Sequence, residues 1–272
     1  MSVQRGFTLI ELIIVIVLLA IVAGFSFQFV GIGVQMFSTG SERLQTIEKS
    51  RFAIERLTRE IRGAVPNSVR VRDECIEFVP IVVAGTYYKA PIQPDSGSEM
   101  TLVTFADSSN TDDIEWKLGG TERVFIYATL PNFVYANPLV YANTSKRYAN
   151  IAGSNSFTSV ENALPLEADS QFAKESPLKR AYVGAQPVSF CLNLGSLYRV
   201  SDYGWQKEQP IPSAGFTDSN LLANGIDMTT AGFDVKTNNQ QSNNIVTIQL
   251  QFGENADEQV FYYREVHIPN AP

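Results

Sequence analysis

Residues 12–41 of this chain carry no charged side chain, and the single charge immediately ahead of them is Glu11. A run this long and apolar reads as a membrane-spanning helix, with an ordinary signal anchor and a buried soluble helix as the alternatives. Residues 12–32 alone make a helix about 31 Å long, against a hydrocarbon core of roughly 30 Å. A carboxylate at the edge of such a run is costly, on the order of 2.5–3.5 kcal/mol at a helix centre, so Glu11 is the first candidate for a functional group. Arg5 is the basic residue ahead of the span and favours a cytoplasmic N-terminus, with the remainder exported. A secretory signal peptide would place its cleavage site after the apolar stretch, at small residues such as Ala20 and Ala23, and would seldom start that stretch with a glutamate.

The helical pattern continues past the span. Leu44, Ile47, Phe52, Ile54, Leu57 and Ile61 are the recurring apolar residues, with Leu44–Ile47, Ile47–Ile54, Ile54–Leu57 and Leu57–Ile61 at the spacing of one helical face, and Glu42, Arg43, Glu48, Arg51, Glu55, Arg56, Arg59, Glu60 and Arg62 occupy the other face. Gly63 and Pro66 stop it. The expectation is one long helix, apolar all round over 7–40 and amphipathic over 41–63, followed by a β-rich globular domain over 64–272. Short strands are expected at 75–83, 100–105, 114–118, 123–130, 188–194 and 196–200, with a turn at Asn193-Leu194-Gly195-Ser196. Val246, Ile248, Leu250 and Phe252 alternate with polar residues as in a half-buried strand, and 258–268 returns as its hairpin partner. Residues 143–176 and 202–225 read as long loops, rich in Ser, Asn, Pro and Gly. The fold class is therefore α+β, with antiparallel strands.

The formal net charge is −7, which argues against a nucleic-acid partner. Cys75 and Cys191 are the two cysteines of the chain, and both fall in the exported part, where an oxidising compartment favours a disulfide. Chemistry elsewhere is sparse. His267 is the lone histidine and reads as an edge-strand residue. Asp107, Asp112 and Asp113 gather carboxylates in one turn and form a calcium candidate, but the run lacks the glycine and distal glutamate of an EF-hand loop, so a plain turn is favoured. Tyr87, Tyr88, Tyr198, Tyr203 and Trp205 are candidates for a glycan-binding surface, weighed against ordinary core packing. No phosphate loop and no catalytic constellation is present, so no cofactor and no enzymatic activity are expected.

Gly6-Phe7-Thr8-Leu9-Ile10-Glu11, behind Arg5 and ahead of the apolar run, resembles the signal sequence of type IV pilins and type II secretion pseudopilins. The resemblance implies a leader at 1–6, cleavage between Gly6 and Phe7 by a prepilin peptidase, and N-methylation of Phe7. It also implies that Glu11 pairs with the methylated amine of a neighbouring subunit when the helices leave the lipid and bundle. Arg51-Phe52-Ala53-Ile54-Glu55-Arg56-Leu57-Thr58-Arg59-Glu60-Ile61-Arg62 looks like the larger minor pilins and J-type pseudopilins. Pro187-Val188-Ser189-Phe190-Cys191, Leu197-Tyr198-Arg199 and the closing Arg264-Glu265-Val266-His267-Ile268-Pro269-Asn270-Ala271-Pro272 are similar to a minor pilin of the mannose-sensitive haemagglutinin (MSHA) pilus. The family often carries a proline in the membrane half of this helix, and this chain has none there.

The resemblance implies a minor pilin acting in assembly or at the tip of a pilus, and so in attachment. A secretion pseudopilin and a tip-displayed adhesive module are the alternatives. Implied partners are other minor and major pilins, the prepilin peptidase, the assembly platform of the inner membrane, and membrane lipid before assembly. Replacing Gly6 by alanine or a bulkier residue is expected to block leader removal. Mass spectrometry of membrane-extracted protein checks it, with retained Met1 in the variant and a Phe7 N-terminus in the parent.

Overall fold

A computed structural model of the protein describes residues 7–104, 116–135, 146–157, 160–210, 220–236, 244–253 and 259–268. In chain order its elements are α1 (Leu9–Arg62), β1 (Arg70–Arg72), β2 (Cys75–Phe78), β3 (Ile81–Lys89), β4 (Gly97–Thr104), β5 (Trp116–Leu118), β6 (Arg123–Phe125) and α2 (Pro131–Tyr135). There follow β7 (Tyr148–Asn150), β8 (Asn155–Phe157), β9 (Glu161–Ser170), β10 (Arg180–Gly184), β11 (Val188–Asn193) and β12 (Ser196–Val200). The last four are β13 (Leu221–Asn224), β14 (Gly232–Lys236), β15 (Asn244–Phe252) and β16 (Val260–Ile268). The long apolar helix followed by antiparallel sheets is the expected α+β fold. The chain divides into two units, Met1–Glu48 and Lys49–Pro272.

The first unit is helical throughout its described length after Thr8. Its apolar side chains, Phe7 and Leu9 to Phe37, are exposed along every face. Its polar side chains are satisfied locally: Ser26 Oγ donates to the carbonyl of Val22 at 2.8 Å and Thr46 Oγ1 to that of Glu42 at 3.0 Å, the bonding by which hydroxyls are accommodated inside helices.

In the second unit the last turns of α1 bury Ser50, Ala53, Ile54, Leu57 and Ile61, one stripe of the helix. The stripe enters a core shared by a five-stranded sheet, β1-β2-β11-β12-β13, and a three-stranded one, β14-β15-β16. Phe78, Phe190, Leu197, Val246, Ile248, Leu250 and Val266 complete that core. Glu60 on the helix accepts from Arg56 at 3.0 Å and from Arg199 of β12 at 2.9 Å, an ion-pair tie alongside the apolar contact.

All strands of the six-stranded sheet, β7-β6-β10-β3-β4-β9, lie between β2 and β11 in the chain. This lobe is thus an insertion with its own core of Met100, Leu102, Leu164, Leu166, Phe172 and Val183. A smaller cluster, Val65, Val79, Phe125, Tyr135 and Tyr148, joins it to the strands that carry the helix. At that junction Gly184 is required for packing, because a Cβ there would collide with Val79.

Segment 202–210 is loop, as expected, and it is bound across the junction. Glu77 is fully buried and accepts from Arg70 and from the Tyr203 hydroxyl, the latter at 2.7 Å. The Arg70 guanidinium also donates to the carbonyls of Lys207 at 2.6 Å and Gln206 at 3.0 Å and stacks 3.6 Å above the Tyr135 ring. Trp205 donates to the Thr121 carbonyl at 2.8 Å and packs on Phe125 and the Arg123 guanidinium. Burial pushes the Glu77 carboxyl up from its usual range, against the opposing pull of Arg70. The same desolvation brings Arg123 down to about 10.

Several expected strands are differently bounded. The run 75–83 is two strands in different sheets, because Pro80 cannot donate to a ladder and the chain turns there. The run 123–130 pairs only over β6. The stretch 143–176 contains β7, β8 and β9, and 202–225 ends in β13. β9 was hidden by Pro165 and three acidic residues, yet Asn162, Leu164 and Leu166 alternate inward, and at the sheet edge a proline costs no ladder bond.

Leu57 is 0% exposed and Phe52, on the same helix, 55%. Leu57→Ala is expected to cost about 2–5 kcal/mol and Phe52→Ala within about 0.5 kcal/mol, read as denaturant midpoints of detergent-solubilised protein. Arg70→Met strands a buried carboxylate and should cost about 3–5 kcal/mol above neutrality. The loss shrinks on acidification. Without Arg70 the folded Glu77 carboxyl is raised further above its unfolded value, so its contribution favours the fold below the unfolded pKa and is lost as pH rises through the folded one. Melts at pH 4 and pH 8 check the sign.

Candidate functional site

The N-terminal end of α1 is set by local chemistry. Thr8 is the residue before the first helical one, and Glu11 is three further on, the Thr-x-x-Glu spacing of a capping box. The backbone closes its first turn through Leu12 N–H to the Thr8 carbonyl at 3.2 Å. The Thr8 hydroxyl reaches Glu11 Oε2 at 3.5 Å, a weak contact. A carboxylate in a first helical turn also meets the positive end of the helix dipole, worth about 0.3–1 kcal/mol. Glu11 therefore has a modest local role in a lone chain. This contribution of Thr8 was legible in the sequence and escapes a reading that treats Glu11 alone.

That local role does not occupy the carboxylate. Glu11 is exposed, with Leu12, Ile13, Ile14 and Val15 exposed behind it and Phe7 80% exposed in front. The apolar sleeve is poorly placed in water, and a carboxylate beside it is costly once lipid surrounds the helix. Gly6 lies outside the described residues. α1 is long and apolar enough to cross a membrane, by length and composition.

The second candidate pair is joined. Cys75 of β2 and Cys191 of β11 are disulfide-bonded, and they stand directly opposite each other in the antiparallel register. Their separation of 116 residues puts the chain-entropy stabilisation at about 4–5 kcal/mol. The bond closes the neck of the inserted lobe, since β3 to β10 lie between the two cysteines.

The remaining candidates are dispersed. His267 is exposed on β16, opposite Ile245 of β15. Tyr87 is buried and its hydroxyl accepts from the Ser176 amide at 2.9 Å. Tyr203 and Trp205 are taken up in the bound segment 202–210, and Tyr88 remains exposed. The five aromatics are not gathered into one exposed face. Asp107, Asp112 and Asp113 lie outside the described residues. Among the described residues no three His, Cys, Asp or Glu side chains are placed to hold a metal ion.

Residues 1–27 match the prokaryotic N-terminal methylation motif. No curated protein and no solved structure matches the chain. The motif, at the head of an apolar helix of this length, supports a type IV pilin or pseudopilin. That family is structural, and the motif implies interaction with other pilins and with a prepilin peptidase. Helix and motif together fit an inner-membrane anchor.

Proposed function

We propose that this chain is a minor pilin, processed between Gly6 and Phe7, anchored in the inner membrane by residues 7–40 and then packed into a type IV pilus through that same helix. The amphipathic part, 41–63, and the domain, 64–272, complete the subunit, with the domain on the outer side of the membrane. One observation carries this reading: the methylation motif heads a helix whose whole apolar surface is uncovered. Association of such helices gains little from the hydrophobic effect, since lipid tails are as apolar as leucine. It rests on packing and on the few polar groups available. Cleavage after Gly6 makes one of these, the amine of Phe7, and Glu11 supplies the counter-charge on a neighbour.

The finer assignment draws on the segments that resemble the MSHA pilus protein MshO, from Pro187 to Cys191, from Leu197 to Arg199 and from Arg264 onward. On that resemblance the chain would be a subunit that starts assembly or stands at the pilus tip, with attachment as the outcome. The other pilins and the assembly platform are its partners.

Glu11→Ala is the test. The variant is expected to be processed and inserted normally, because losing a carboxylate eases insertion. Incorporation should fail, because the Phe7 ammonium is left unpaired at about 3–5 kcal/mol, a hundredfold or more in an assembly equilibrium. Pilus number and recovery of the other minor pilins in a pull-down are the readouts. Wild-type pilus number with Glu11→Ala removes the salt-bridge role.

A further inference from the structure

Where the end of α1 lies beside β16, a groove of about 440 Å³ opens, lined by Ile54, Glu55, Thr58, Arg59, Arg62, Arg264 and Glu265. Two of its walls carry information. Arg264 and Glu265 are neighbours on one strand and point to opposite faces of the sheet, yet both line the groove. That happens where a groove follows the edge of a strand and not its face. β16 is such an edge: among the described residues it pairs with β15 alone, over nine residues. Natural sheets normally cover or blunt so long an edge.

The charges select the occupant. Glu55 is engaged by Arg51 at 3.5 Å, and Glu265 accepts from the Tyr263 hydroxyl at 2.7 Å. Arg59, Arg62 and Arg264 have no ion pair among the described residues. The helix dipole favours the first two, in the last turn of α1, but offers nothing to Arg264 on its strand. Between these arginines the Thr58 hydroxyl oxygen is buried without a hydrogen-bond partner among the described residues, where a helical threonine ordinarily bonds its own preceding turn. A second copy pairing edge to edge in the register that sets Arg264 opposite its own counterpart would add another arginine to a groove whose lining already holds Arg59, Arg62 and Arg264 against Glu55 and Glu265.

We infer that this groove takes an extended acidic segment of a partner protein, which adds to β16 as a further strand. Main-chain bonds to the free edge hold it. Carboxylates on its α1-facing side meet Arg59, Arg62 and Arg264, in the charge-assisted pairs that arginine forms best. Its other side lies against Phe261 and Tyr263, which are 53% and 51% exposed on the outer face of β16, and so takes β-branched or aromatic residues. The recognised pattern is an alternation of acidic with apolar residues. The inference concerns the globular unit and holds whether or not the chain enters a filament.

The full chain in detergent micelles is titrated against a fluorescein-labelled decapeptide of alternating glutamate and valine, read by anisotropy. Saturable binding is expected, weakened at least tenfold by the combined Arg59→Gln, Arg62→Gln and Arg264→Gln substitutions, and abolished by N-methylating alternate peptide amides. Glu55→Gln with Glu265→Gln should tighten it severalfold, a gain that misfolding cannot imitate. Equal binding of the glutamine peptide or of the N-methylated peptide overturns the proposal. So does capture of phosphatidylglycerol vesicles by the same arginines without peptide binding, or self-association that the triple variant abolishes and the peptide does not compete.

Discussion

Everything in the globular unit is organised around one helical stripe. Ala53, Ile54, Leu57 and Ile61 are fully buried or nearly so, and the cluster they enter draws side chains from the five-stranded and the three-stranded sheets together. Between those sheets themselves the described residues show one isolated bridge, Ile226 to Phe252. Apolar burial on the helix therefore does what strand pairing does not. At about 0.8 kcal/mol for each buried methylene, a change of a single branched residue in the stripe is felt by both sheets. The Glu60–Arg199 ion pair adds a polar tie between the helix and β12.

The two halves of α1 answer opposite demands with one backbone. Over its first part every face is apolar and exposed, which is stable in lipid or among like helices and nowhere else. Over its last turns polar and apolar faces separate, and the buried face belongs to a soluble core. The only charge in the apolar part sits in the first turn, where the helix dipole and Thr8 make it tolerable. An acidic group placed two turns later would lose both aids. The position of Glu11 is thus consistent with the physics of a lone inserted helix as well as with a partner cation in an assembly.

Legibility in the sequence followed the range of the interactions. Periodicity located α1, the 193–196 turn, and the closing hairpin, since each is specified within a few residues. In that turn Leu194 and Gly195 both take positive φ, as a two-residue hairpin loop demands. The joining of Cys75 to Cys191 was legible from compartment and count. β9 was not, because its proline and acidic residues are permitted only by an edge position that no local pattern reveals. Nor was the burial of Glu77, whose partners Arg70 and Tyr203 come from separate elements. The groove beside β16 depends on Arg59 and Arg264, 205 positions apart, and each alone reads as a solvated charge.

The insertion of a whole lobe between two bonded cysteines has a mechanical consequence. Suppose the subunit is pulled between α1 and its last strand. Tension entering at β2 crosses to β11 through the sulfur atoms and leaves β3 to β10 slack. The 116-residue separation of the cysteines holds back a contour length on the order of 400 Å, none of which is released while the bond is intact. The six-stranded lobe is thereby excused from bearing load. It can diverge in shape and stability without weakening the strands that carry force, and a reducing environment would put that slack length into the line of pull.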